Sequence, residues 1–363
     1  MQIRKILLAL CLLLPAGISF VLAERIEAQS SADGIWLPLV TNQSPEGIFI
    51  SAAEIAALPT WGAAWQNVLE WAQEDASSPD LSYPHDNTDA VVMAKALVFV
   101  RTGNASYRQQ AAEAIMNAIG TEDGSDEVLA LARNLSGYIV AAELIMLEPE
   151  DDASFRTWLD AVRYERFDDR SLIGTHEERP NNWGTHAGAA RIAAALYLDD
   201  VADLNRAAAV FRGYLGDRAA YAGFNYGSDL SWQCDPNQPV GINPAACQKD
   251  GLLIDGVLPD DQRRGGPFTW PPPKENYAWE ALQGVVAQAR MLERAGYPAF
   301  SWQNQAILRA ASWLNLQAQF PAHGDDSAIP WLINHVYGTS FPADAPARPG
   351  KNGLGFYDWF TAN

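Results

Sequence analysis

From Ser51 onward, apolar residues recur at three- and four-residue spacing in block after block, and no sustained period-two alternation interrupts them. That spacing fills one face of a helix and cannot be laid onto a half-buried strand. It begins at Ser51-Ala52-Ala53-Glu54, which has capping-box form, and runs through Leu58, Trp61, Trp65, Leu69 and Trp71. It then predicts helices over about 89–101, 106–119, 127–147, 153–162, 185–198, 201–215, 275–295 and 302–319. Alanine clusters such as Ala187-Gly188-Ala189-Ala190 and Ala193-Ala194-Ala195 favour helix and allow helices to approach closely. The connections in the first half are short, as in antiparallel helical hairpins. The pattern argues against a β-sandwich or a doubly wound α/β fold.

The first 48 residues read differently. Arg4 and Lys5 precede a mostly apolar run, and Val21-Leu22-Ala23 ends it on a small residue, so 1–23 is expected to be a secretory signal peptide. A membrane anchor is the alternative. The continuous apolar run is shorter than the ~20 residues a spanning helix needs, and Pro15-Ala16-Gly17 breaks it, so no stable membrane insertion is expected. Residues 24–48 look like a linker, and 49–363 like the main domain. Loss of Arg4 and Lys5 takes the formal charge from −19 to −21. Such a balance argues against a general nucleic-acid binder. Export also removes Cys11. It leaves Cys234 and Cys247 in an oxidising compartment, where a disulfide is expected and two free thiols in a metal site are the alternative.

Two stretches lack helical spacing: about 216–274, rich in proline, and 321 to the end. The first holds enough Trp, Tyr and Phe to argue against a disordered insert, and a long ordered loop in a compact domain usually carries function.

Neither a phosphate-binding glycine loop nor a HExxH or GxSxG motif is present. No His spacing suggests a metal, and no cofactor is expected. The densest polar cluster, Arg179-Pro180-Asn181-Asn182-Trp183-Gly184-Thr185-His186, directly precedes an Ala-rich helix. Its Asn residues could be simple caps. They could equally display two amides and His186 at a helix N-terminus, which favours an anion such as a carboxylate. A second cluster runs from Asp255-Gly256-Val257-Leu258-Pro259-Asp260-Asp261-Gln262-Arg263-Arg264-Gly265-Gly266 through Trp270 and Lys274 to Tyr277. Two arginines beside two glycines offer cations with room for a ligand. A solvated turn with Asp–Arg pairs is the bland alternative.

The Asn-Asn pair, the Asp-Gly-x-x-Pro-x-acidic-x-x-Arg run and a Tyr opening an apolar helix resemble secreted bacterial alginate lyases, whose superfamily includes chondroitin AC and glucuronan lyases. Arg133-Asn134-Leu135 before Tyr138-Ile139-Val140-Ala141-Ala142-Glu143 resembles them too, as does Gly350-Lys351-Asn352 with Asp358-Trp359. The resemblance implies an all-α, (α/α) toroid without a large β-domain. It also implies a lyase that cuts a uronate polymer by β-elimination. It differs in two places: Trp183 stands where those lyases have a His, and 265–273 lengthens the step from Arg264 to Tyr277. These departures favour a glucuronan-like or unidentified uronate polymer as the substrate.

The chemistry implied is specific. Asn182, helped by Asn181 or Arg264, would neutralise the sugar carboxylate. His186 would be the base and Tyr277 the acid, or Tyr277 would do both in a syn elimination. Trp183, Trp232 and Trp270 would offer stacking faces, and Arg179, Arg263, Arg264 and Lys274 would make a basic cleft on an acidic body. An anionic polysaccharide is the expected partner of a monomeric enzyme. Two other readings remain open: a glycoside hydrolase drawing on Asp229, Asp235, Asp255, Asp260 and Asp261, and a non-catalytic uronate-binding protein.

Overall fold

The computed structural model describes residues 46–123, 128–167 and 169–362. The expected signal peptide and nearly all of the expected linker lie outside the described residues. Helices are of two kinds, and their side chains explain the division. In α3 (Thr88–Thr102), α5 (Val128–Ile145), α8 (Asn182–Tyr197) and α11 (Asn276–Arg294) nearly the whole circumference is buried. α3, α5 and α8 are apolar on most sides and must be surrounded, while α11 is amphipathic and buries Glu280, Gln283 and Gln288 as well. By length and composition α5 is apolar enough to cross a membrane, yet it is 94% buried inside the protein.

The others bury a single stripe. α4 (Ala105–Ala118) buries Ala111, Ala114, Ile115 and Ala118, and α6 (Pro149–Val162) buries Phe155, Leu159 and Val162. With α2 (Ala63–Gln73), α7 (Leu172–Glu178), α9 (Val201–Tyr214) and α12 (Trp302–Ser312) they form the outer layer. Inner helices pack in the order α3, α5, α8, α11. α13 (Ile329–Tyr337) and α14 (Tyr357–Phe360) carry the packing from α11 back to α2. The result is an all-α toroid of helical hairpins. Apart from helices there is one antiparallel pair, β1 (Gln248–Lys249) with β2 (Leu252–Leu253), so no large β-domain exists among the described residues.

Two sequence expectations shift. The stretch from Ser51 to Trp71 is two helices, α1 (Ala52–Ala57) and α2, parted at Leu58-Pro59, because proline cannot continue a helix. The capping box at Ser51 and Glu54 is formed. In 302–319, Gln303, Asn304 and Gln305 hold φ of 50°, 55° and 55°, so the right-handed helix starts at Ala306, and a π turn, Trp313–Gln317, ends it. α7, α10 (Pro259–Gln262), α13 and α14 fall where no helical period is visible; α10 and α14 are single turns, and α10 and α13 have proline in the first turn.

The long loop is ordered from inside. Trp232, Ile242, Ile254 and Val257 are buried. Asn243, also buried, accepts from Cys234 N–H and donates to the Trp232 and Ile254 carbonyls at 2.9 and 3.1 Å. Cys234 and Cys247 form the expected disulfide, Cα–Cα 5.9 Å.

Candidate active site

Asn182, Glu280 and Arg133 lie near the N-terminal ends of α8, α11 and α5, and they meet at one end of the inner ring. The approach of α11 to α8 makes this contact possible. A Cβ on Gly284 would stand 2.4 Å from the Thr185 carbonyl carbon, so only glycine fits there. Gln288 Nε2 donates to Thr185 O at 2.9 Å and holds the same crossing. One turn earlier, Asn182 Nδ2 donates to Glu280 Oε2 at 3.0 Å. The other Glu280 oxygen pairs with Arg133, both side chains being 8% exposed. A buried carboxylate needs such partners.

The helix starts are fixed by the polar residues around them. Asn181 caps α8, accepting from Trp183 N–H at 3.1 Å, and its Nδ2 donates to Asp260 at 2.8 Å. Asn182 N–H donates to Asp261 Oδ1 at 3.0 Å. Burial, then the neighbouring Asp260, push the Asp261 carboxyl well above the usual range. Glu275 caps α11 by accepting from Tyr277 N–H at 3.1 Å.

Above this layer lie the exposed groups. Arg264 Nη1 donates to Asn182 Oδ1 at 3.4 Å, and its guanidinium lies 3.8 Å from the centre of the Tyr277 ring. Tyr277 is 37% exposed. A cation, a phenol and a backing amide therefore stand in one stack that begins in solvent and ends on a buried ion pair.

The alginate lyase family model matches residues 62–224 of this chain. Over those residues the chain is similar to alginate lyases. That similarity supports an enzyme of the polysaccharide lyase class. The matched span holds Asn181 and Asn182 and stops before Arg264 and Tyr277. No curated protein matches the chain.

For this lyase-like chain the other sequence candidates distribute as follows. Asn182 is buried to 0% exposure, so its amide lies beneath Arg264 rather than at the surface. His186, also 0% exposed, sits one turn deeper on α8. Burial, with the charges of Arg133, Lys351 and Arg348, holds its imidazole well below the usual pKa. Arg263 is turned to Asp260 at 2.8 Å. Trp232 is wholly buried: its Nε1 donates to Gly266 O at 2.9 Å and its ring packs on Phe268 and Trp313. It offers no face to a sugar. Trp183 is half-buried under the Arg179 guanidinium, 4.9 Å away. Trp270 is 36% exposed, and Lys274 is exposed beside it in sequence.

Two residues escaped the sequence reading of the site. Glu280 was visible only as a lone acid in the apolar run Ala278-Trp279-Glu280-Ala281-Leu282, one turn past Tyr277. Arg133 stood out only through the resemblance. Four of the five acids considered for a hydrolase are committed locally: Asp260 to Arg263 and Asn181, Asp255 to Arg309 and Ala246 N–H, Asp229 to Ser231 and Asp235 to Asn237. The fifth, Asp261, accepts from Asn182 N–H and leaves Oδ2 buried without a partner. Among the described residues no group of three His, Cys, Asp or Glu side chains is arranged to hold a metal ion.

Proposed function

We propose that the chain cleaves a uronate-containing polysaccharide by β-elimination, with Arg264 and Tyr277 as the groups that touch the sugar. The proton at C5 is weakly acidic because the adjacent carboxylate is already negative. Removing it needs positive charge aimed at the carboxylate as the aci-carboxylate develops. Arg264 supplies that charge from an exposed position. The positive ends of α8 and α11 lie at the same end of the ring and act in the same sense. Tyr277 acts as its phenolate: it takes the C5 proton and becomes the phenol, the C4–C5 double bond forms as the C4–O4 bond breaks, and the phenol gives its proton to the leaving O4. One phenol on one face of the ring serves both transfers, which is a syn elimination.

Asn182 acts from beneath. Its Oδ1 holds Arg264, and its Nδ2 is tied to Glu280, so the guanidinium is oriented before substrate arrives. His186 has no proton-transfer role in this scheme, since the ring is buried a turn below. Trp270 and Lys274 extend the exposed surface along which a polymer would run. The leader-like start of the sequence and the disulfide support an enzyme working outside the cytoplasm.

The observation that carries this reading is the guanidinium 3.8 Å over the exposed Tyr277 ring, backed by Asn182. The test is to incubate the protein with alginate, glucuronan, hyaluronan and pectate and follow the absorbance of the unsaturated product. Tyr277→Phe and Arg264→Ala should each abolish turnover on the substrate that is cut. Full activity in both variants would sink the assignment.

A further inference from the structure

The far end of the inner ring holds a cavity of about 330 Å³. It lies roughly 24 Å from the start of α8, the length of a 16-residue helix. The last turns of α5, α8 and α11 bring Glu143, Tyr197 and Arg294 to its wall, and Ile48 closes one side. Leu147, Leu196 and Met291 give it an apolar lining.

Most of its charges are already matched. Arg156 is held by Asp152 at 2.9 Å and Asp199 at 3.6 Å, and it stacks 4.8 Å over the Tyr197 ring. The Tyr197 hydroxyl donates to Asp152 at 2.6 Å. Arg294 turns to Glu54 at 2.7 Å and to Gly47 O at 3.0 Å. Glu143 is different. Its Oε1 accepts from Ile48 N–H at 3.0 Å. Its Oε2 is buried without a hydrogen-bond partner, and among the described residues Glu143 forms no ion pair. Burial raises its carboxyl to about 7, against the Ile48 hydrogen bond and the Arg294 charge.

Three inner helices end here, and each helix C-terminus carries partial negative charge. Two wall residues, Met146 and Asp199, hold φ of 50° and 59°, the left-handed region that usually selects glycine. Met146 stands at the mouth, 67% exposed. An apolar chamber of this size, with one unmatched carboxylate and converging negative helix ends, complements a ligand with a carbon chain and a positive head.

We infer that this cavity binds a small aliphatic ammonium compound, its N–H groups bonding Glu143 and its chain lying against Leu147, Leu196 and Met291. The site is separate from Arg264 and Tyr277, so its failure would leave the lyase reading untouched.

The test is calorimetric titration of the full chain with n-butylammonium, using n-butanol and butyrate as neutral and anionic controls of the same chain length. Butylammonium should bind at least tenfold more tightly than butanol, and butyrate should not bind. Binding should strengthen from pH 6 to pH 8 as Glu143 ionises, with Arg156, Arg294, Asp152, Asp199 and Tyr197 facing it. Glu143→Gln should erase the preference for the cation. Met146→Lys, at the exposed mouth, should weaken binding by placing a tethered ammonium in competition. Equal affinity for butanol and butylammonium would overturn the inference. So would wild-type affinity in Glu143→Gln or, should that variant fold poorly, in Met146→Lys.

Discussion

The two ends of the inner ring are built from the same four helices and have opposite characters. Where α5, α8 and α11 begin, the buried carboxylate is saturated: Glu280 takes Asn182 and Arg133, and a cation, Arg264, is left facing out. Where they end, the cations are turned to other carboxylates, Arg156 to Asp152 and Arg294 to Glu54, and a carboxylate, Glu143, is left unmatched. A ring of parallel inner helices sums its backbone dipoles, so one end must favour anions and the other cations. The side chains follow that polarity rather than cancel it. Local field, more than the formal charge of −19, would then decide how this acidic protein meets the acidic polymer proposed as its substrate.

Five variants would break or sharpen the contrast. At the anion-favouring end, Tyr277→Phe should cut kcat/KM by about 10³-fold, some 4 kcal/mol of transition-state stabilisation, measured as unsaturated-product formation. A loss below tenfold would move the proton transfer elsewhere. Arg133→Met leaves Glu280 buried without its ion-pair partner and should destabilise the fold by about 3–5 kcal/mol in denaturant titration. Arg133→Met with Glu280→Leu should recover most of that stability and little of the activity, separating the support of the site from the support of the fold.

At the other end the sign reverses. A carboxyl raised from 4.5 to about 7 keeps its proton in the folded state, while the unfolded chain has lost it, so stability falls as pH rises through that window. Glu143→Gln should therefore stabilise the protein at pH 8, on the order of 3 kcal/mol, and change little at pH 4. Stabilisation that is equal at both pH values would mean that the carboxyl titrates normally. The smallest effect is expected from Met146→Gly. It should gain about 1 kcal/mol by relieving the left-handed backbone, read as a small rise in melting temperature.

Local signals in the sequence reached some of this arrangement and not the rest. The spacing of Trp65, Leu69 and Trp71, the alanine clusters and the capping box at Ser51 report helices directly, because each depends on residues within a turn or two. The cysteine pair was legible because composition and compartment restrict it. Depth was not legible. α8 is apolar all round, so nothing in its sequence distinguishes the solvent end, near Asn182, from the interior at His186. Glu280 lies 98 residues from Asn182, and only the close approach at Gly284 brings the two together. The stacking of Arg264 on Tyr277 spans the proline run Pro271-Pro272-Pro273, whose path no periodicity encodes. Trp232 shows the converse error: an aromatic beside polar residues in the chain can be a core residue in space.

The ring is fastened by residues far along the sequence. Trp359 packs 5.1 Å from Trp65 and donates to Pro59 O, 300 positions away, while Arg348 reaches Asp89 at 2.7 Å. Loop-closure entropy for such distant partners must be met before their contacts reward it. During synthesis the early hairpins can form one by one, but the circle stays open until translation has passed Trp359. A nascent chain held on the ribosome short of that point should therefore exchange its α2 and α3 amides far faster than the released protein.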